Sequence, residues 1–268
     1  MEMELQPRAL GHISITADRK RNTTVLGDLY QQGCLKALFP NRNSYIETVL
    51  VNTSGGITGG DRLEVTANAL KQAHLVLTTQ ACERVYRAQA RSAGKVTTTL
   101  TVEDGAMLAW LPQETIFYDG GQLQRRLTVN LSKSARALIV EPVLFGRLAM
   151  GETQLNGIFK DQIDVLIDGA LSYCDKTLLA GDITAKLARP AVANGMQAMA
   201  SLIYRAPDAS GMSAKIRSLL NPTSGCSLMD DDFLVLRLLA PDGQKLRQMM
   251  LPILDLLTHN TLPKCWRL

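Results

Sequence analysis

The feature that most restricts this chain is a succession of short runs rich in Val, Ile, Leu and Thr, with no long helical pattern between them. The runs are Ile46 to Val51, Leu63 to Ala67, Leu75 to Thr79, Val96 to Val102, Leu123 to Leu131 and Ala135 to Val140. Several alternate, as Lys95-Val96-Thr97-Thr98-Thr99-Leu100-Thr101-Val102 does, and a period of two with β-branched residues predicts strands. Turn residues separate them at Ser92-Ala93-Gly94, Glu103-Asp104-Gly105 and Asp119-Gly120-Gly121. Strand following strand argues against a βαβ parallel fold over about the first 170 residues. A sandwich, a barrel and a layered β-solenoid all fit the spacing. No fixed-period repeat is visible, which weakens a solenoid with a repeated sequence rung.

Helical patterning arrives late. Leu246, Met249, Met250, Ile253, Leu256 and Leu257 step by three and four within 244–259 and predict an amphipathic helix. Pro252 should kink or divide it. A shorter helix is expected at 213–220 with Ser213 as N-cap, and a third within 184–200, interrupted by Pro190 and Gly195. Phe233 to Leu239 reads as a buried strand. With no linker in sight, residues 1–268 read as one domain, strand-rich over 1–175 and mixed strand and helix over 176–268.

Composition removes several function classes. The 268 residues carry 29 Lys and Arg against 25 Asp and Glu, a net charge of +4. The only compact basic cluster is Arg19-Lys20-Arg21, too little for sequence-independent nucleic-acid binding. No apolar run approaches a membrane span, and Glu2 and Glu4 stand in an N-terminus without a leader-like apolar stretch. The expectation is a cytoplasmic protein with no membrane or nucleic-acid partner. The five cysteines, Cys34, Cys82, Cys174, Cys226 and Cys265, are widely spaced and odd in number, which speaks against a disulfide framework or a structural zinc site. Only His12, His74 and His259 could supply imidazole.

The densest local signal is Val51-Asn52-Thr53-Ser54-Gly55-Gly56-Ile57-Thr58-Gly59-Gly60-Asp61-Arg62-Leu63. It is not a P-loop, because Asp61 occupies the place of the phosphate-binding lysine. Nor is it a dinucleotide loop, since an alternating strand pattern follows in place of a helix. Two readings stay open. One is a tight connection between strands, where glycine permits unusual backbone angles. The other is close approach of a second backbone, a partner surface or a polar channel, with Thr58 and Asp61 on display.

Three further segments accompany it in order: 78–87 (Thr-Thr-Gln-Ala-Cys-Glu-Arg-Val-Tyr-Arg), 110–120 (Trp-Leu-Pro-Gln-Glu-Thr-Ile-Phe-Tyr-Asp-Gly) and 145–152 (Phe-Gly-Arg-Leu-Ala-Met-Gly-Glu). Together with Asn52 to Asp61 they closely resemble the urease accessory protein D family, UreD, called UreH in some bacteria. Ser54 and Cys82 depart from the alanine expected in many members. The resemblance implies a mainly β fold, an irregular β-helical stack of strands with a small α-helical portion in the C-terminal half. It also implies a non-enzymatic maturation scaffold that binds apo-urease, accessory protein F and, through F, the GTPase accessory protein G. Such a scaffold helps insert nickel into urease by way of an internal polar passage.

A conduit rich in His and Cys would hold Ni²⁺ too tightly to release it. Carboxylates, hydroxyls, carbonyls and water bind more loosely, and the scarcity of His here suits transfer. No tightly bound cofactor and no stable metal site are expected, only Ni²⁺ in transit. The candidate passage or partner-contact residues are Thr58, Gly59, Gly60, Asp61, Glu83, Arg84, Glu114, Asp119, Glu141 and Glu152, with transient nickel contact at Asp61, Glu114 and Glu141. A carboxylate buried among apolar residues is expensive unless paired, so ion pairing with Arg84, Arg87 or Arg147 is the plainer alternative. Cys82 reads as a small buried hydrophobe. Tyr86, Trp110, Phe117 and Tyr118 read as packing residues. The competing functions are a β-rich hydrolase, for which the histidines are few, and a ligand-binding module, for which the aromatics are few.

Overall fold

The computed structural model describes residues 7–40, 44–89 and 92–267, so Glu2 and Glu4 lie outside the described residues. In chain order the strands are β1 (Leu10–Lys20), β2 (Thr23–Gly33), β3 (Leu35–Leu38), β4 (Ile46–Asn52), β5 (Arg62–Ala69), β6 (His74–Thr79), β7 (Glu83–Val85), β8 (Gly94–Val102), β9 (Met107–Leu111), β10 (Thr115–Phe117), β11 (Gln122–Leu131), β12 (Arg136–Phe145), β13 (Asn156–Ile167), β14 (Ala170–Asp182), β15 (Ala198–Arg205), β16 (Gly225–Asp230) and β17 (Phe233–Ala240). The helices are α1 (Ile183–Leu187), α2 (Ala209–Arg217) and α3 (Gly243–Leu257). Every run expected to be a strand is one, with its ends moved by a few residues.

Two sheets result. One has the order β14-β13-β11-β8-β5-β1-β2 and the other β16-β17-β15-β12-β9-β6-β4-β3. From β4 the chain crosses from one sheet to the other and back, through β5, β6, β8, β9, β11, β12 and β13. Each strand therefore lies parallel to the one two steps earlier. A parallel pair needs a crossover of about a dozen residues, commonly a helix. Here the crossover is a strand of the opposite sheet, which is how parallel sheets form without βαβ units. The result is the irregular β-helical stack that the resemblance implied. Short strands β7 and β10 make a third face, where β10 lies between β7 and the end of β12.

Alternation decides what enters the space between the sheets. In the first sheet Gly11, Leu63, Val96, Arg125 and Asp161 share one register row, and Ala17, Ala69, Val102 and Leu131 share another further along. In the second sheet the inward residues include Leu77, Trp110, Ile139 and, beyond them on β12, Glu141. The row of Ala17 is wholly aliphatic, whereas the row of Arg125 carries charge. On the third face Ile57, Val85, Phe117 and Phe145 stack one per turn and are fully buried. Phe159 sits edge-on to both phenylalanines, at 5.7 and 5.2 Å between ring centres.

The helices differ in detail from expectation. α3 runs unbroken through Pro252, and the side chain of Asp242 caps it by accepting from the Lys245 amide at 2.8 Å. Its buried face, Leu246, Met250, Ile253, Leu254 and Leu257, packs in a second apolar cluster on the outside of the second sheet. α2 begins at Ala209, so Ser213 lies buried inside it and is not its N-cap. The helix expected within 184–200 is the five-residue α1 alone. The segment from Ala198 is strand, because its apolar side chains are needed on both faces of a sheet covered by α3.

Candidate functional site

The glycine-rich segment is the corner at which the chain leaves β4 in one sheet and turns toward β5 in the other. Gly56 has φ +152°, and a Cβ there would come within 2.3 Å of the Tyr86 ring and 2.7 Å of the Arg84 carbonyl. Close approach of the next turn of the stack therefore demands glycine. The Ile57 amide donates to the Arg84 carbonyl at 2.7 Å, and the Tyr86 amide donates to the Ile57 carbonyl at 2.8 Å. Both open readings hold in part: the segment is a connection, and it is a connection pressed against another backbone. Asp61, however, is not on display. It is buried, and its two oxygens accept from the Ala9 and Thr58 amides, each at 2.8 Å. Thr58 is half-buried and donates to the Arg87 carbonyl at 3.1 Å. Gly59 is buried, and Gly60 at φ +92° lies against Arg8.

Beneath this corner lies a cavity of about 250 Å³, reached past Asn52, Gly55, Glu83 and Arg84 and extending to Trp110, Arg125 and Glu141. At its outer end Asn52 donates through Nδ2 to both Glu83 oxygens, at 3.1 and 3.3 Å. Burial nevertheless pushes the Glu83 carboxyl above its ordinary range. Arg84 is exposed, and only its amide meets Glu83, so the adjacent pair makes no side-chain ion pair.

The inner end is a charged cluster. Arg125 grips Asp161 with two parallel hydrogen bonds, Nε to Oδ1 at 2.9 Å and Nη2 to Oδ2 at 2.7 Å. Its remaining nitrogen, Nη1, lies 2.5 Å from Glu141 Oε2 and 3.3 Å from Thr115 Oγ1. Glu141 Oε1 accepts from the Trp110 indole at 2.7 Å. All three charged side chains are more than nine-tenths buried. Burial opposes the Arg125 charge, yet Asp161 and Glu141 outweigh it and hold the guanidinium protonated. Burial also raises the Glu141 carboxyl, against the pull of Arg125. One cation thus faces two carboxylates, an arrangement that stays in the interior only because nearly every polar atom has a partner.

Polar side chains continue across the second sheet from this cluster. Glu141 is the register partner of Ser201 and Ser201 of Arg237. Ser201 donates to Asp175 at 3.1 Å, and Asp175 pairs with Arg237, whose side chain is 35% exposed. The sequence carried a signal for this row. Arg125 in β11, Asp161 in β13 and Glu141 in β12 each occupy the inward parity of their strand, among residues that are otherwise apolar. A charge at such a position is the deviation from the pattern worth reading, and Arg125 and Asp161 carry it outside the motifs that single out the other candidates.

The other expected residues stand elsewhere. Glu114 is buried and bound by Arg247 of α3, Nε to Oε1 at 3.0 Å and Nη2 to Oε2 at 2.7 Å, so it ties the helix to the stack. Asp119 pairs with Arg87 and accepts from the Asn156 amide at 2.8 Å. Glu152 pairs with Arg147 at 2.9 Å, and burial adds little against that bond, so its carboxyl lies below its ordinary range. Arg87 and Arg147 are thus the partners anticipated, while Arg125 and Arg247 were not. Cys82 is half-buried with Sγ 3.4 Å from Glu114, and burial lifts its thiol to about 11. Trp110 packs as expected but also donates to Glu141. Among the described residues no three His, Cys, Asp or Glu side chains converge into a metal-holding set.

Comparison with known proteins places these features in a family. The model of the UreD urease accessory protein family matches residues 9–267. A protein of Roseobacter denitrificans described as urease accessory protein UreD is 45% identical over 263 residues, covering 98% of this chain and 96% of its own length. The protein of the same description from Ruegeria pomeroyi is 47% identical over 244 residues, covering 91% and 95%. That from Agrobacterium fabrum is 40% identical over 265 residues, covering 98% and 93%.

Proposed function

Because this chain belongs to the UreD family of urease accessory proteins, we propose that it serves urease maturation as a non-catalytic scaffold. It takes apo-urease and accessory protein F, with accessory protein G joining through F, and lets Ni²⁺ pass to the urease active site as cargo. The same reading places it in the cytoplasm. Among the described residues no helix is long and apolar enough to cross a membrane.

The observation that carries the nickel part is the cavity lined by Glu83 and Glu141, with the polar row beyond it. The chemistry of its wall favours exchange over capture. Nickel prefers imidazole and thiolate, yet among the described residues no histidine lines the cavity, and the cysteine that does, Cys82, is held as a poorly ligating thiol. Carboxylate, amide, hydroxyl and carbonyl oxygens remain. Two of the three histidines are taken up in ring contacts, His12 edge-on to Tyr30 and His74 stacked on Tyr45.

The test is urease activation in cells that lack their own copy of this protein. The full chain should restore activity, and the combination Glu83→Gln with Glu141→Gln should lose most of it while remaining folded. Full activation by that combination would remove the passage. A low-salt pull-down in which the chain retains neither apo-urease nor accessory protein F would remove the scaffold.

A further inference from the structure

The inner end of the cavity holds an arrangement that a simple carboxylate-lined passage does not require. Glu141 and Asp161 converge from opposite sheets, and without Arg125 they would present two buried carboxylates to the same space. Such a pair in a low-dielectric interior is a strong trap for any divalent cation. Arg125 prevents this by its geometry. Its fork is anchored to Asp161 through Nε and Nη2, which leaves Nη1 alone to cover Glu141 and Thr115. The guanidinium is a cation on a tether, always charged and present at a fixed high local concentration.

We propose that Arg125 is a resident counter-cation that keeps Glu141 and Asp161 from capturing the divalent metal, and so sets the affinity of the cavity for it. This rests on the nickel-passage reading above. An entering ion competes with Nη1 for Glu141 while Arg125 stays bound to Asp161, and when the ion leaves, Nη1 returns. The cavity is thereby tuned for release. The side chain is a specificity-determining residue for the transfer rather than a ligand of the cargo.

The experiment measures Ni²⁺ binding to the full chain by equilibrium dialysis, using the metal alone. Arg125→Met should bind one Ni²⁺ at least about tenfold more tightly than the parent, since it removes a buried positive charge from between two carboxylates. Adding Glu141→Gln and Asp161→Asn to that variant should return the affinity to the parental value. If Arg125→Met proves too unstable for dialysis, its melting temperature is read with and without Ni²⁺. A rise on adding metal that the triple variant does not share supports the proposal. Unchanged affinity in Arg125→Met, a gain that survives in the triple variant, or no metal-dependent rise in melting temperature would each overturn it. Binding is read on the chain alone and activation in cells. A gain in Arg125→Met from a parent chain that fails to activate urease counts against the maturation reading only.

Discussion

Arg125 and Arg205 are both buried inside the same stack of strands, on inward positions of opposite sheets, and they are held in opposite ways. Arg205 gives Nη1 to the Ser132 and Ala135 carbonyls at 3.1 and 2.9 Å and Nη2 to the Lys133 carbonyl at 2.7 Å, while its buried Nε has no hydrogen-bond partner among the described residues. Its one carboxylate partner, Asp232 at 3.1 Å, is 42% exposed. Arg125 instead meets two buried carboxylates and borders a cavity. Around Arg205 the interior rows are Ala, Val and Leu, so the arginine closes the end of an apolar core and satisfies the carbonyls of a turn. Around Arg125 one cation faces two buried carboxylates, and on the proposed reading that surplus of negative charge makes the site responsive to protons and cations. Burial alone does not distinguish the two arginines; the charge of their partners does.

The largest effect expected is at the apolar end. Arg205→Ala should cost about 4 kcal/mol, because three carbonyls lose their donor in the interior. Urea denaturation measures it, and Ni²⁺ binding should not change. If it changes, the separation of the two ends is wrong.

The two ends should also answer acid with opposite signs. His74 lies in the row next to that of Arg205, and burial, reinforced by Arg136, lowers it to about 4. Its native form binds fewer protons than the unfolded chain between its ordinary value and about 4. The stability it contributes is therefore lost as pH falls through that window, by about 3 kcal/mol in full. His74→Phe should abolish that acid loss. Glu141 is raised by burial, so it favours the native state as pH falls from neutrality, and Glu141→Gln should remove that gain. Melting temperatures of the two variants across the acid range decide the matter, and slopes of the same sign would collapse the contrast.

Smaller effects sharpen the picture of the charged end. Trp110→Phe keeps the packing and removes the indole donor to Glu141 Oε1, at a cost of about 2 kcal/mol. A cost near zero by denaturant titration would show that water reaches that oxygen. Arg147→Ala removes the partly exposed pair with Glu152 and the guanidinium stacked 4.2 Å from the Tyr118 ring centre, and should cost less stability than Trp110→Phe. A larger loss would mean that surface pairing matters as much as the buried cluster.

Much of the fold was legible before any coordinates. The alternating runs gave the strands because a β-branched, period-two segment has one good way to bury half its side chains. The glycine corner was recognisable as something other than a nucleotide loop because Asp61 and the strand after it contradict that chemistry. The helix ends were less legible. Ser213 resembles an N-cap locally, but Ala209 and Ile216 are both drawn into the core and move the start of the helix upstream. Among the carboxylates, sequence neighbours misled. Glu83 sits next to Arg84 yet bonds Asn52, and Glu114 meets Arg247, 133 positions away.

What the sequence by itself determined is that seven apolar runs form strands, that 244–259 carries a helix, and that the chain belongs to a family of urease accessory proteins. Those follow from local pattern and from motifs that stay intact along the chain. Only the tertiary structure decided which charges meet. Arg125, Asp161 and Glu141 are neighbours because successive turns of the stack set strands of both sheets side by side at one register. The energy of a buried charge depends on what lies across that gap, and no spacing along the chain records it.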